Sequence, residues 1–370
     1  MKVKNLSKVL AFMVAVVMIF AALPIMANAD NAADAFVVSY GAPAIPMDVN
    51  TKVDLKTLAV EITKGTTVSG ADCEWATDVA DGIVLDANKK TVEALEKGNY
   101  KLTATTAGVT KNVWVIVKAV EETDFYLVNF ESLNKDTFNP DDWRGIAAEI
   151  GGPIPDISKT VLEDDYIRTP GTNGASYVYI DDIFLDFADY TVTATMSQNS
   201  TKNTKIHDYE AYGAGLIGRA HITSDNKYES GIFTSIKQTL GAVLFYPYKV
   251  ENGITSQRHY GSLIKDSSNN GFKFGQVPAE YAPTGYVWDS INDYHDVKYV
   301  FNGQKADMYL EEFHVNELFR VSSFDKNQTQ AGYPGFCTYR SYANVKSFAV
   351  QLNSNAMPAV MTEEPAPEAD

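Results

Sequence analysis

Apolar and polar residues alternate one by one along much of this sequence, and that period decides the fold class. Between Asp189 and Ser197 every second residue is apolar, and near the C-terminus Phe348, Val350 and Leu352 share one parity. Successive side chains of a strand point to opposite faces of a sheet, so this period predicts strands with one buried face. No strand–helix–strand rhythm is present in the sequence. We therefore expect an all-β chain built from antiparallel sheets.

Two short turn signals predict hairpins between such strands. Asn302-Gly303 separates the alternating run that ends at Phe301 from the one that begins at Ala306. Ala107-Gly108 lies in the same way between Tyr100–Ala104 and Val113–Val117. A two-residue turn of this kind needs positive φ angles, which Asn and Gly tolerate best.

The first 29 residues have the pattern of a secretory signal peptide. Three lysines precede the apolar run Val9–Leu23, and Ala27-Asn28-Ala29 gives a small-x-small cleavage site. The run is shorter than the ~20 residues that cross a bilayer, although a retained N-terminal anchor stays open. We expect removal of residues 1–29 and a bacterial protein that is secreted or held at the cell surface, with no membrane insertion of the mature chain.

The charge of the chain excludes two classes of partner. The formal net charge is −16, and loss of the three lysines in residues 1–29 makes it more negative still. Such a chain repels nucleic-acid phosphates and anionic lipid.

The two cysteines, Cys73 and Cys337, are far apart in the sequence, which favours two separate buried thiols over a disulfide bridge.

Residues 36–118 are expected to form a small β-sandwich. Cys73-Glu74-Trp75, Thr91–Ala94, Gly98–Ala104 and Val113–Val117 together resemble a bacterial immunoglobulin-like domain (group 2-like), a kind found as spacers in surface proteins. The resemblance implies that Trp75 is buried between two sheets. Ala119–Thr123 is too short to be a flexible tether, so the next domain should lie close by.

Residues 124–353 are expected to form one larger sandwich. Gly213–Arg219 followed by Asp225–Tyr228, the hairpin at Asn302-Gly303, and Tyr342–Phe348 resemble elements of concanavalin A-like (laminin G-like) jelly rolls. The resemblance implies two curved sheets with a concave face and rim loops that often hold oligosaccharide, and it implies no activity by itself. Residues 354–370, rich in Pro, Glu and Ala, are expected to be a disordered tail.

The sequence lacks several common catalytic motifs. Hydrolases of the jelly-roll fold place Glu-x-Asp-x-x-Glu on one strand, but the pairs at Glu122 and Glu163 lack the third acid. No Gly-x-Ser-x-Gly or His-Glu-x-x-His is present. The densest acidic group, Asp181-Asp182 with Asp186, is expected to be a solvated edge, with catalysis or metal binding left open. We therefore lean towards a protein that is not an enzyme.

A carbohydrate site is favoured by mixtures of aromatic and polar residues. Sugars present C–H faces to aromatic rings and hydroxyls to polar groups. Core or rim packing is the alternative role for each residue. The candidate ligand-binding residues are Arg219, His221, Tyr228, Tyr246, Tyr248, Arg258, Tyr260 and Trp288.

The resemblance to jelly rolls also implies a structural calcium ion at a rim loop, with no other cofactor expected. Ca²⁺ takes six to eight oxygen ligands, and the candidates are Glu131, Asp164 and Asp165. The sequence as a whole predicts a non-catalytic, lectin-like protein that binds a glycan or polysaccharide. A glycoside hydrolase on the same fold and a structural or adhesive subunit that binds protein are the alternatives, and the oligomeric state is open.

Overall fold

The structure is a computed structural model, and Phe36–Asp370 forms one compact unit in it. The predicted signal peptide lies outside the described residues, as does the predicted tail apart from Pro358. The described residues are 35–78, 81–147, 154–170, 175–180, 183–199, 212–222, 228–239, 242–251, 254–258, 271–273, 294–303, 305–311, 313–317, 330–339, 342–353 and 358.

The described residues form strands joined by turns and a few short 3₁₀ helices. The strands are β1 (Val37–Val38), β2 (Ala44–Asp48), β3 (Lys52–Asp54), β4 (Ala59–Thr63), β5 (Thr66–Ser69), β6 (Glu74–Thr77), β7 (Ile83–Leu85), β8 (Thr91–Ala94), β9 (Gly98–Thr106), β10 (Val109–Lys118), β11 (Tyr126–Phe130), β12 (Trp143–Ala147), β13 (Val161–Leu162), β14 (Ile167–Arg168), β15 (Ala175–Ile180), β16 (Tyr190–Asn199), β17 (Tyr212–Ile222), β18 (Tyr228–Thr239), β19 (Ala242–Glu251), β20 (Ile254–Arg258), β21 (Gly271–Lys273), β22 (His295–Asn302), β23 (Lys305–Leu310), β24 (Phe313–Glu317), β25 (Tyr333–Tyr339) and β26 (Tyr342–Leu352). The 3₁₀ helices are Leu55–Thr57, Gly70–Asp72, Pro140–Asp142, Ile157–Lys159 and Ile183–Asp186.

The N-terminal strands form three small sheets around a core of their own. Their orders are β1-β4-β5, β2-β10-β9-β6 and β3-β8-β7. Trp75 is fully buried in this core, and its indole Nε1 donates to the carbonyl of Gly70 at 2.9 Å. The prediction of a buried Trp75 is confirmed. Cys73 in this core and Cys337 on β25 are both buried thiols, as the spacing predicted.

The hairpin β9–β10 has the predicted turn. Ala107 and Gly108 both have positive φ, at 46° and 79°, and Thr106 pairs with Val109 across the turn. Two successive positive φ angles match the right-handed twist of the flanking strands. Leu102 and Val113, which pair across the hairpin, are both buried, so the predicted apolar face is confirmed.

The later strands form a sandwich of two antiparallel sheets. Sheet I has the order β13-β14-β26-β16-β22-β23-β24, with β11 also paired to β26. Sheet II has the order β12-β15-β25-β17-β18-β19-β20, with β21 also paired to β19. The alternation on β16 is confirmed, because Tyr190, Val192, Ala194 and Met196 are all buried. The hairpin between β22 and β23 is present, but Asn302 pairs with Lys305, so the turn begins at Gly303, which has positive φ, one residue later than predicted.

The two sheets bury one aromatic core between them. Trp143 of sheet II lies 5.1 Å from the ring of Phe336 and 5.2 Å from that of Phe348 on sheet I. Such ring pairs stabilise a core beyond the area they bury. The predicted fold class, an all-β chain with a large jelly-roll sandwich, is confirmed.

Within the described part of the chain, no helix has the length and hydropathy to cross a membrane.

The N-terminal sheets are attached to the sandwich by direct hydrogen bonds, which we call the joint contact. The carboxylate of Asp186 accepts from the indole Nε1 of Trp114 at 2.8 Å and from the amide of Asn112 at 3.1 Å. The Gly41 carbonyl accepts from the backbone N–H groups of Ala188 and Asp189. Ala44 and Ile116, on β2 and β10, are counted within the core of the sandwich rather than within that of the N-terminal sheets. The contact is therefore both polar and apolar.

Candidate functional site

Sheet II has an outer face opposite to the core of the sandwich. Leu216 on β17 and Phe336 on β25 belong to the core. Their neighbours Ile217 and Cys337 occupy positions of the opposite parity, which face away from the core because side chains alternate along a strand. Both are nonetheless buried, at 0% and 2% exposure. The centre of the outer face is thus covered, and the candidates for ligand contact are the positions on either side.

The pairing of the strands brings residues from the edges and centre of sheet II into one row on this face. From β15 to β20 the paired residues are Tyr179, Gly335, Ile217, Phe233, Tyr248 and Arg258. Paired residues on adjacent strands share a face of the sheet. We call this set the outer row. It unites two of the predicted binding residues, Tyr248 and Arg258, which come from neighbouring strands.

A second row lies two residues further along each strand. It pairs Tyr177, Cys337, Gly215, Ser235 and Tyr246 in that order. Three predicted residues, Tyr246, Tyr248 and Arg258, therefore share the outer face of sheet II. The sequence reasoning missed Tyr177 and Tyr179, although the alternation Tyr177-Val178-Tyr179-Ile180 would have found them.

Arg219 has a different position from the one expected for a ligand contact. Its side chain is 0% exposed, with Nη2 at 2.9 Å from the Asp189 carboxylate and Nε donating to the Ala188 carbonyl at 2.7 Å. The β17–β18 register shifts between Gly218 and His221, and Arg219 has a positive φ of 51°. This β-bulge takes the residue out of the alternation. Burial also lowers the pKa of its guanidinium from the ordinary value.

The interior position of Arg219 corrects its predicted role. The guanidinium lies 5.2 Å from the ring of Phe301, and the backbone N–H of Arg219 donates to the hydroxyl oxygen of Tyr190 at 2.7 Å. Asp189 in turn accepts from the backbone N–H of Gly303 at 2.9 Å. Arg219 therefore connects β16, β17 and the β22–β23 turn. Its hydrogen-bonding groups are used inside the protein rather than for a ligand.

Of the other predicted ligand residues, the structure describes His221 and Tyr228 but not Tyr260 and Trp288. His221 is half-buried and pairs with Ser230, and Tyr228 pairs with Ile222, both near one end of the β17–β18 hairpin. Tyr260 and Trp288 lie outside the described residues. Their roles stay predictions.

The calcium candidates do not form a shared site. Asp164 lies 2.5 Å from the ammonium of Lys135, and Asp165 lies 3.6 Å from that of Lys346. Glu131 is exposed and accepts from the amide of Asn129 at 3.4 Å. Within the described ranges no three His, Cys, Asp or Glu side chains are grouped to hold a metal ion. Because two of the three carboxylates form ion pairs with lysines, these residues do not fit the calcium site that was expected.

The acidic group at residues 181–186 is described only at its end. Asp181 and Asp182 lie outside the described residues. Asp186 makes the joint contact with Trp114 and Asn112, which is a structural role that neither of the sequence interpretations anticipated.

Comparison with known proteins gives similarities of fold only. No family model and no curated protein matches the chain. The carbohydrate-binding module CBM66 from Bacillus subtilis is 12% identical with a TM-score of 0.34, over 57% of this chain and 95% of that one. The exoplasmic/lumenal domain of VIP36, bound to Ca²⁺ and Man3GlcNAc, is 11% identical with a TM-score of 0.33, over 62% and 97%.

A native glycosidic hydrolase is 10% identical with a TM-score of 0.36, over 61% of this chain and 97% of that one. Binding proteins and a hydrolase thus occur at the same low level of similarity. At these TM-scores the matches carry no conclusion about what the chain binds or catalyses.

Proposed function

We propose that the protein binds carbohydrate without cleaving it, through the outer face of sheet II. The observation that carries this proposal is the strand register, which pairs Tyr179, Phe233, Tyr248 and Arg258 within a single row. Aromatic rings offer the apolar surface on which sugar C–H groups pack, and a guanidinium donates to hydroxyls. The second row adds Tyr177 and Tyr246 beside it.

The composition of the two rows supports binding over hydrolysis. Glycoside hydrolysis requires a pair of carboxyl groups, separated by about 5 Å in retaining enzymes and more in inverting ones. Neither row contains Asp or Glu. A hydrolase would need its carboxylates from outside these rows, and this alternative is an outcome of the test below.

The same proposal takes residues 36–118 as an immunoglobulin-like unit of an exported surface protein. Its support is the buried Trp75 at the centre of the N-terminal sheets together with the leader pattern in residues 1–29. Mass spectrometry of the protein recovered from culture medium should find an N-terminus at Asp30. Recovery of the uncleaved chain in the membrane fraction would contradict export.

A glycan array probed with the chain from Asp30 onward is the direct test. We expect saturable binding to at least one glycan, and isothermal titration calorimetry with that glycan should show about a tenfold loss of affinity in Tyr248→Ala, because one stacking ring is removed. Arg258→Ala should lose a comparable amount. Tyr40→Ala is the matched control, since Tyr40 is an exposed tyrosine of the N-terminal sheets.

Two results would overturn the proposal. Unchanged affinity in both Tyr248→Ala and Arg258→Ala would remove sheet II as the site. Release of reducing sugar from the bound polysaccharide would contradict the absence of cleavage, and failure on the array together with saturable capture of one defined partner protein would favour an adhesive subunit.

A further inference from the structure

The outer face of sheet I carries a group of aromatic and charged side chains that the sequence did not single out together. They lie at one end of strands β14, β26, β16 and β22, on the side opposite to the core residues Met196 and Val345. We call them the cation–tyrosine cluster, defined as Tyr166, Arg168, Tyr294 and Lys346.

The members of the cluster contact one another. The ring centroids of Tyr166 and Tyr294 are 6.4 Å apart with the planes inclined by 55°. The ammonium of Lys346 lies 4.1 Å from the ring centroid of Tyr294, and the guanidinium of Arg168 lies 5.9 Å from that of Tyr166. A cation near a ring face is attracted by its quadrupole, so each cation is held beside an aromatic surface.

Hydrogen bonds beneath the cluster fix the position of Arg168. Its Nε donates to the amide oxygen of Asn344 at 3.0 Å, and its Nη2 donates to the hydroxyl of Tyr166 at 3.2 Å. Asn344 is itself buried and contacts the hydroxyl of Ser197 at 3.4 Å. Two of the three guanidinium nitrogens of Arg168 are thus held by hydrogen bonds within and beneath the cluster. A site whose side chains are already ordered loses less entropy on binding.

The rim of the cluster presents a donor and an acceptor side by side. The carboxylate of Asp165 is 69% exposed and lies 3.6 Å from the Lys346 ammonium, whose side chain is 39% exposed. Neighbouring hydroxyls of a sugar ring can donate to the carboxylate and accept from the ammonium at the same time. Partial burial, followed by the charge of Asp165, raises the pKa of Tyr294, which keeps its phenol neutral.

The local charge favours a neutral ligand over an anionic one. Among the described residues here, the cations Lys135, Arg168 and Lys346 are matched by the acids Glu163, Asp164 and Asp165. Sulfate or phosphate would gain little here and would use none of the aromatic surface. A neutral sugar with vicinal hydroxyls uses both the rings and the paired rim groups.

We propose that the cation–tyrosine cluster is a second carbohydrate-binding site, which takes a neutral pyranoside and lies on the opposite sheet from the outer row. The choice of sugar as ligand rests on the proposed function, but the site is argued from its own contacts. Two sites on opposite faces would let one molecule bridge two glycan chains, a geometry that raises avidity without new contacts.

The test is calorimetric titration of the chain from Asp30 onward in the Tyr248→Ala/Arg258→Ala double variant, in which the combined loss of both contacts should weaken the sheet II site by about a hundredfold. The probes are methyl pyranosides of glucose, mannose, galactose and xylose and the tetrasaccharides of cellulose and xylan. We expect residual binding of one equivalent in that background and at least a tenfold loss of this affinity when Asp165→Ala or Lys346→Gln is added.

Asp164→Ala is the matched control, because Asp164 is the adjacent exposed carboxylate and also pairs with a lysine. It should change the residual affinity less than twofold. Equal effects of Asp164→Ala and Asp165→Ala would reduce the cluster to ordinary surface ion pairs and overturn the proposal. Thermal melts accompany each variant, so that loss of folding is separated from loss of binding.

The outcomes for the two sites are distinguishable. No residual binding in the double variant overturns the second site and leaves the proposed function intact. Unchanged binding in the double variant that is lost with Asp165→Ala overturns the sheet II site and supports the cluster. If no probe binds the wild-type chain, both proposals fail for neutral sugars.

Discussion

The two outer faces of the sandwich enclose the same core but are built from different residues. On sheet I the polar side chains are paired with one another: Thr195 Oγ1 donates to the Asp296 carboxylate at 2.6 Å and lies 2.9 Å from the Ser347 hydroxyl. On sheet II each of the two rows contains tyrosines from β15 and β19 and one glycine, and neither contains an acid. Alternation alone cannot produce this difference, since both sheets obey it equally.

The comparison shows that polar side chains on the outer face of a sheet can stabilise the sheet itself by bonding to one another. On sheet I, Thr195 bonds to Asp296 and Ser347, and Asn344 bonds to Ser197, so these polar side chains stabilise the sheet by bonding within its outer face. On sheet II the register places Phe233, Tyr248 and Arg258 in one row beside the buried Ile217, and the proposed function assigns that row to a ligand.

The largest expected effect is on stability, and it compares an arginine of the core, Arg219, with an arginine of an outer face, Arg168. Arg219→Met should lower the free energy of unfolding by about 3 kcal/mol or more, because the Asp189 carboxylate loses its buried partner. Arg168→Met is the control from sheet I and should cost about 1 kcal/mol, since Arg168 is only half-buried and bonded to neutral groups. Urea unfolding followed by fluorescence measures both. Equal costs would mean that Arg219 is not the core element described above.

A smaller effect on stability is expected at the joint contact. Asp186→Ala should lower the free energy of unfolding by about 2 kcal/mol, because the indole N–H of Trp114 and the amide of Asn112 lose a charged acceptor. Glycan affinity at either face should stay within twofold of the wild type. A change in affinity at one face only would show that the joint contact shapes that face. The exposed Asp164→Ala should leave the unfolding free energy nearly unchanged.

The smallest expected effect tests the ladder of sheet I. Thr195→Val should cost about 1 kcal/mol, because the Asp296 carboxylate and the Ser347 hydroxyl lose their common partner. Thr193→Val is two residues along the same strand on the same face, and it should be close to neutral. If the two variants were equally stable, the hydrogen bonds of Thr195 would contribute nothing measurable, and the outer face of sheet I would have no stabilising network of side chains at this position.

Local features of the sequence predicted the local structure well. The alternation on β16, the turn at Ala107-Gly108, the hairpin that follows β22, and the burial of Trp75 are each encoded within a few neighbouring residues. Arg219 escaped prediction because the bulge that turns it inward depends on how β17 pairs with β18 and β25. A motif that ends in an arginine does not reveal whether the strand shifts register there.

The sites themselves depend on pairings between distant parts of the chain. Tyr179 and Tyr248 enter one row only because β15, β25, β17, β18 and β19 are neighbours in that order. Tyr166, Tyr294 and Lys346 likewise come from three separated segments. Asp165 was selected from the sequence as a calcium ligand for its charge, whereas its contact with Lys346 is a product of the fold.

The parallel pairing of β2 with β10 has a mechanical consequence. Five residue pairs, from Ala44 with Trp114 to Asp48 with Lys118, join the beginning of the N-terminal sheets to their end. Tension applied between Phe36 and Thr123 pulls these two strands along their own length in opposite directions. The load is then shared by all five pairs at once, whereas a hairpin pulled apart at its open end breaks its hydrogen bonds one after another.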